Sequence, residues 1–327
     1  MEKLLTVTIP SYNVEKYLPE TLPTFLDESI LEKIEILIVN DGSKDNTLEI
    51  AEQYRAQYPD TIRVINKENG GHGSTINTGI QHASGKYFKV VDGDDWVDTA
   101  AFCRFVQQLE DTDADMVVSP FARIDDQTKQ CLEITEYREL ESGRIYPLDV
   151  FVPIAKEKRF AMHSLTIRTE ILKTIRPISE HCFYVDMEYI VFPLKYAKTV
   201  TLIDTPVYQY RVGNASQSVA MSNLHKNRNM HLHVLKTIIA YRDELNGAAK
   251  EIAEKQILGL CEKQFVILCT MPDYAVSKRE TMEFLQYIKS AIPELYKTIP
   301  GKKNKLLILS NGVLFPVVHK VYRAKIG

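Results

Sequence analysis

Asp92-Gly93-Asp94-Asp95 puts three carboxylates on one Gly-containing turn, directly after a β-type run over 86–91. Carboxylates this close repel one another, so a nearby cation makes the ionised cluster more favourable. A hard divalent ion held through oxygen, and shared with a substrate phosphate, meets that need. Taken alone, the triplet also fits a solvated acidic turn closing a strand, so its meaning rests on the chain around it.

The elements that must position such a turn alternate. Residues 4–9 form a nearly continuous apolar run stopped by Pro10, which suits a strand buried on both faces. Ser11-Tyr12-Asn13 follows, then a helical stretch over 17–26. A second strand over 34–39 ends in Asn40-Asp41-Gly42-Ser43, and Asp45-Asn46-Thr47 opens a helix reaching about Tyr58. A third strand over 62–66 leads into Asn69-Gly70-Gly71-His72-Gly73 and a helix over 74–82, before the acidic strand. This β-α-β-α-β-α-β order predicts a mostly parallel sheet flanked by helices. Ligands of such sheets bind at the carboxyl ends of the strands, so the four loops are expected to share one edge.

Two nucleotide-binding patterns fail. A dinucleotide fingerprint needs GxGxxG after the first strand, where this chain has Pro10-Ser11-Tyr12; Gly71-His72-Gly73 comes late, with Ile76 in the last glycine slot. Gly79 to Gly85 is one residue too long for a P-loop, and Tyr87 replaces the hydroxyl that would hold magnesium.

Thr8-Ile9-Pro10-Ser11-Tyr12-Asn13, Val39 through Thr47, Asn69-Gly70-Gly71 with Asn77-Thr78-Gly79, and Asp92-Gly93-Asp94-Asp95 together resemble family 2 glycosyltransferases of the GT-A fold, a Rossmann-like nucleotide-diphospho-sugar transferase architecture. The resemblance covers the first hundred residues and thins out to about Val219. It implies an inverting, metal-dependent transfer of one sugar from a nucleotide-diphosphate donor, UDP-linked by expectation. The acceptor would be a glycan or a lipid-linked hydroxyl, as in cell-surface polysaccharide biosynthesis. It also implies a donor half over 1–100 and an acceptor half over 101–219; residues 220–327 lie outside the resemblance and read as a separate helical region.

By the same resemblance, Pro10 and Tyr12 would pack on the base, with Asn13 beside them, and Asp41 would accept from a uracil-type N–H. A carboxylate suits that task because it is a strong acceptor with no competing donor. Gly70 and Gly71 would let backbone approach the donor, and Asn77 would belong to the same binding set. His72 reads as polar surface. Asp94 and Asp95 would take the ribose and the metal (Mn²⁺ or Mg²⁺) between them, with Asp92 in support; the sequence leaves open which of the two is the direct ligand. Trp96, the only tryptophan, reads as packing.

Further on, the family's acidic catalytic segment is matched by Cys182 through Tyr189, with Asp186 at the base position and Val185 where a Glu is usual. Glu188 is a helix-mate or an alternative base, and the helix from Asp186 is expected to run to Ala197. His163, in the segment 160–168, is a candidate acceptor or metal contact. Residues 124–136 form a hairpin or a crossing loop. Arg211, in Tyr208-Gln209-Tyr210-Arg211 with the serine-rich stretch 214–218, could neutralise diphosphate charge. QxxRW, the signature of processive synthases, is missing, so single addition is favoured. The rival readings are a sugar nucleotidyltransferase and a nucleotide-sugar-binding scaffold without activity, to which the missing Glu before Asp186 points.

Bulk properties agree. The chain has 327 residues, 45% hydrophobic and 25% charged, with net charge −3, so no nucleic-acid partner is expected. Five cysteines without a CxxC pair favour a reducing compartment, and neither a secretory leader nor a membrane span is visible; a cytoplasmic protein is expected. After residue 218 the pattern turns helical: an apolar stripe of Leu232, Leu235, Ile238 and Ile239 closed by Asn246-Gly247, then helices over 248–270 and 278–292 parted by Pro272. The basic, apolar tail over 302–323 either tucks into the core or lies at the inner face of a membrane.

Overall fold

The computed structural model describes residues 3–137, 139–157, 161–213 and 220–324. Phe160, the serine-rich stretch 214–218 and the expected boundary at 219 lie outside the described residues. The chain divides into two compact units, Met1–Asn214 and Ala215–Gly327.

In the first unit β1 (Leu5–Ser11), β2 (Ile34–Asp41), β3 (Ile62–Lys67) and β4 (Tyr87–Val90) run parallel in the order β3-β2-β1-β4. Every residue of β1 and β2 is buried, as their apolar, β-branched runs require. Pro10 is tolerated inside β1 because it lies past the last β1–β4 pair, Thr8 with Val90, and its carbonyl accepts the Gly93 N–H at 3.1 Å.

After β5 (Trp96–Val97), β6 (Met116–Val118) rejoins this sheet, while β7 (Phe121–Asp125) and β8 (Cys131–Thr135) pair as an antiparallel hairpin. β9 (Ile145–Pro147), β10 (Leu165–Arg168) and β11 (Thr199–Leu202) complete the large sheet in the order β3-β2-β1-β4-β10-β6-β11-β9; β10 and β9 run against their neighbours. β12 (Tyr208–Val212) instead builds a second sheet, β5-β12-β7-β8. The sequence did not predict this small sheet, because it joins residues more than a hundred positions apart and β5 is two residues long.

Helices Thr47–Gln57, His72–His82 and Thr99–Glu110 flank the large sheet's strands. The last is capped by Asp98, which accepts the Ala101 N–H at 2.8 Å, and its Phe102 meets Phe25 edge-on at 5.2 Å in the core. The helix opening at Asp186 stops at Val191 and tightens to a 3-10 turn over Phe192–Lys195, short of the expected Ala197. Pro193 is the reason, since it has no N–H for the α-helical ladder.

The second unit holds helices Arg228–Arg242, Gly247–Cys269 and Tyr274–Ala291, then two short ones, Lys302–Leu309 and Phe315–Arg323. Leu235, Ile238 and Ile239 are buried as the stripe predicts. Asn246-Gly247, however, opens the long helix rather than closing the preceding one, which ends at Arg242.

Candidate active site

The loops after β1 and β2 are stitched together. Asn13, in the left-handed region at φ 54, donates its N–H to Ser43 Oγ (3.0 Å) and accepts the Lys44 N–H on Oδ1 (2.8 Å). The Val14 N–H reaches Thr47 Oγ1 at 2.8 Å. This frame presents Tyr12, 50% exposed, at the strand edge, whereas Pro10 is buried within β1. Of the pair expected to pack on a base, only Tyr12 offers an open ring.

Asp41 closes β2 with 2% of its surface exposed. Its Oδ1 accepts from the Gly70 N–H (2.9 Å) and Lys67 Nζ (2.9 Å), and its Oδ2 from the Gly71 N–H (2.8 Å). The carboxylate therefore holds the glycine loop in place. Gly71 has φ 82, and a Cβ on Gly73 would stand 2.1 Å from the Ser179 carbonyl oxygen, so the segment after 177 packs directly on this loop. Asn77 takes part in that packing. Its Nδ2 donates to the Ile178 carbonyl and its Oδ1 accepts the Ile178 N–H, both at 2.9 Å. Expected at the nucleotide, Asn77 instead anchors the segment that leads to Asp186.

On the acidic turn the three carboxylates have different surroundings. Asp92 Oδ1 lies 2.8 Å from His72 Nε2. Burial opposes ionisation of Asp92, but the His72 imidazole holds its pKa below the ordinary value. Asp94 is half-buried, and burial together with the charge of Asp92 pushes it up to about 6. Asp95 is 1% exposed; its Oδ2 accepts from the Tyr208 hydroxyl (2.6 Å) and its Oδ1 from the Arg211 N–H (2.7 Å). Burial and its two acidic neighbours raise Asp95 well above the usual carboxylate range. Of the two residues expected at the metal, Asp94 keeps the more open carboxylate.

Arg211 is not free to meet a diphosphate. It is 2% exposed, donating to the Asp94 carbonyl (2.6 Å), Asp126 (2.7 Å) and Glu20 (2.9 Å), and it lies between the rings of Tyr17 and Trp96 at 4.9 and 4.6 Å. Its charge is already matched, and its role is to lock the acidic turn to β12. Trp96 is packing, as expected.

Asp186 begins a helix, half-buried, and burial chiefly, with the Asp92 charge, pushes it up to about 6; His72 pulls the other way. Glu188 is fully buried and accepts from the Ser179 N–H (2.7 Å) and hydroxyl (2.9 Å), so the candidate alternative base is a support for the turn. His181 (φ 51) and Tyr184 (φ 69) are both non-glycine residues in the left-handed region, which places backbone strain on the approach to Asp186.

Two residues gain importance. His72 opens the helix His72–His82, and although burial disfavours its cation, Asp92 foremost, then Asp186 and Asp94, raise its pKa. Nothing in sequence marked it beyond the loop that carries it. Tyr208 bridges the turn, accepting the Asp92 N–H (3.2 Å) while donating to Asp95.

A model of glycosyl transferase family 2 matches residues 6–176, over half the chain and all four strand-end loops. The chain belongs to glycosyl transferase family 2. It is 33% identical over 220 residues to the uncharacterized glycosyltransferase EpsJ of Bacillus subtilis, a match spanning 64% of this chain and 62% of that relative, just under two thirds of its length. Among solved structures, Staphylococcus aureus TarS 1-349 in complex with UDP-GlcNAc aligns at TM-score 0.68 over 98% of this chain and 92% of that 1-349 chain, at 17% identity. The mannosyltransferase PcManGT from Pyrobaculum calidifontis, in complex with GDP-Man and Mn2+, aligns at 0.54 over 99% and 88%, at 14% identity. At such identities the likeness is one of fold, and it bears out the GT-A expectation with its helical C-terminal region.

The donor set suits a divalent cation. His163 is pushed down to about 4 by burial, so its imidazole is neutral and able to ligate, and its Nδ1 is buried without a hydrogen-bond partner. Ligand atoms of Asp92, Asp95 and His163 lie within 4.8 Å of one another. Asp94 stands on the more open side of the same turn. Hard oxygen donors with one imidazole fit Mg²⁺ or Mn²⁺.

Proposed function

We propose that this protein moves one sugar from a nucleotide-diphosphate sugar, of the UDP class, onto the hydroxyl of a glycan or lipid-linked acceptor, with inversion at the anomeric carbon. The observation that carries this reading is the unbroken run of contacts from Asp41 through Gly70 and Gly71 to His72, and from His72 to Asp92, with Asp186 close enough to feel both charges. A donor laid along that run meets a base platform, a glycine loop, an acidic turn and a carboxylate in order.

Tyr12 stacks the base. Asp41 fixes Gly70 and Gly71, and Oδ2, with a lone pair left, accepts a base N–H. Asp92 and Asp94 bind toward the ribose and phosphates. Asp94, with Asp92, Asp95 and His163 as the deeper set, would hold Mn²⁺ or Mg²⁺, and the bound ion would supply Lewis-acid stabilisation to the diphosphate leaving group. His72, paired with Asp92, orients that carboxylate at the site.

Asp186 acts as the base. With its pKa at about 6 it is mostly ionised near neutrality and can take a proton. The acceptor oxygen forms the new bond to the anomeric carbon while its proton passes to Asp186, and the bond from that carbon to the β-phosphate oxygen breaks, releasing the nucleoside diphosphate.

Isothermal titration of UDP-, GDP-, CDP- and dTDP-sugars, each with and without Mn²⁺, tests the donor half. Manganese-dependent binding of a UDP-sugar is expected. Asp186→Asn should keep that binding and lose about 10²- to 10⁴-fold in kcat. Turnover unchanged in Asp186→Asn, or pyrophosphate released from a nucleoside triphosphate, overturns the reading.

A further inference from the structure

We propose that the last two helices form a docking face for an anionic lipid bilayer surface, a reading that does not depend on the transfer chemistry. The helices Lys302–Leu309 and Phe315–Arg323 reverse at Asn311 (φ 47) and Gly312 (φ 83). Their inner faces are settled in the second unit: Leu307, Ile308, Phe315 and Val318 are buried. Their outer faces are not covered by anything in that unit. Leu309 is 74% exposed, Val313 77% and Val317 56%, with Leu306 and Val321 each above 40%. Spacing of three and four residues puts these side chains on the outward faces of the two helices and the turn between them.

Six of the fourteen large apolar side chains exposed among the described residues fall in this sixteen-residue stretch, a concentration that marks an interaction surface rather than scattered exposure. Charge says what the surface meets. Beyond Glu294 the sequence has seven Lys and Arg and no Asp or Glu, in a chain whose net charge is −3. Lys302, Lys305 and Lys320 are exposed on the same outer faces as the leucines and valines. The fold holds the two helices in register: Lys303 Nζ sits 4.0 Å over the Tyr322 ring, and the Tyr322 hydroxyl donates to Asn304 Oδ1 at 2.9 Å.

Apolar side chains flanked by cations match an interfacial helix, whose apolar face enters the headgroup boundary while lysines reach anionic phosphates. Isologous pairing with a second copy would bring like charges together. Neither helix can span a bilayer, and no described helix is long and apolar enough to do so.

The test uses the full chain in vesicle co-sedimentation, with phosphatidylglycerol–phosphatidylcholine mixtures against phosphatidylcholine alone. Expected is partition to the anionic vesicles only, weakened by salt. The exposed double variant Val313→Glu/Val317→Glu should abolish it. Replacing Lys302, Lys305 and Lys320 by Gln should weaken it about a hundredfold, since each cation near the surface contributes roughly fivefold. Unchanged thermal unfolding in both variants shows that the fold is intact. No partition of the intact chain, equal partition to neutral vesicles, or full partition by the glutamate variant overturns the proposal. So does a dimer in light scattering that the glutamate variant dissociates, because the face would then belong to a second copy.

Discussion

His72 Nε2 and Asp92 Oδ1 stand 2.8 Å apart, joining the first residue of the helix His72–His82 to the acidic turn after β4. A helix amino end disfavours a cation, and so does burial, yet the surrounding carboxylates raise the His72 pKa. A raised folded-state pKa means the pair stabilises the fold fully below the ordinary histidine value, and the contribution fades as pH rises through the raised one. Histidine ring signals followed by NMR should show His72 titrating above its ordinary value, and Asp92→Asn should bring it down. A midpoint unmoved by Asp92→Asn would remove Asp92 as the cause.

Arg211 is predicted to be a stability residue. Arg211→Met should lower unfolding free energy by about 2–3 kcal/mol. That is less than for a fully enclosed pair, because Glu20 and Asp126 keep water contact at 45% and 26% exposure. Nucleotide affinity of the folded variant should stay within about threefold, well under 1 kcal/mol. A large affinity loss at unchanged stability would instead return Arg211 to the diphosphate.

Asn77→Ala should remove both hydrogen bonds to Ile178 and leave its backbone groups without partners, at about 1–3 kcal/mol. Hydrogen exchange at 178–182 should quicken, with kcat falling more than donor affinity because Asp186 lies downstream of the anchor. Unchanged exchange there would show that Gly73 and Glu188 hold the segment without it.

His231, 3% exposed with Nδ1 2.6 Å from Gln264 Oε1, is held down to about 4 by burial. Its folded pKa lies below its unfolded one, so the unfolded chain takes up the proton first as pH falls. The helical unit should lose stability from about pH 6.5 down to about 4, by roughly 3 kcal/mol in all. Urea unfolding of His231→Asn across that range should give a flatter profile. A wild-type profile already flat there would remove the effect.

The sequence by itself determined the parallel β1–β4 half, the loops at its carboxyl edge and the family. Those features are local: apolar β-branched runs broken by Pro10, Gly70-Gly71 and the acidic turn carry their conformation within a few residues of themselves. The same locality made Asp41, Asp94 and Asp186 visible as candidates. It could not assign partners. Asn77 and Arg211 stand in stretches that read as donor-binding, but their hydrogen bonds go to Ile178 and to Glu20, Asp94 and Asp126, up to 191 residues away. Only tertiary packing decides whether a polar side chain is left open for a ligand or already satisfied by the fold. The same holds for Asp94 and Asp95, adjacent in the chain and alike in chemistry. β12 passes behind one of them, so Tyr208 and Arg211 cover Asp95 and leave Asp94 the more open of the two.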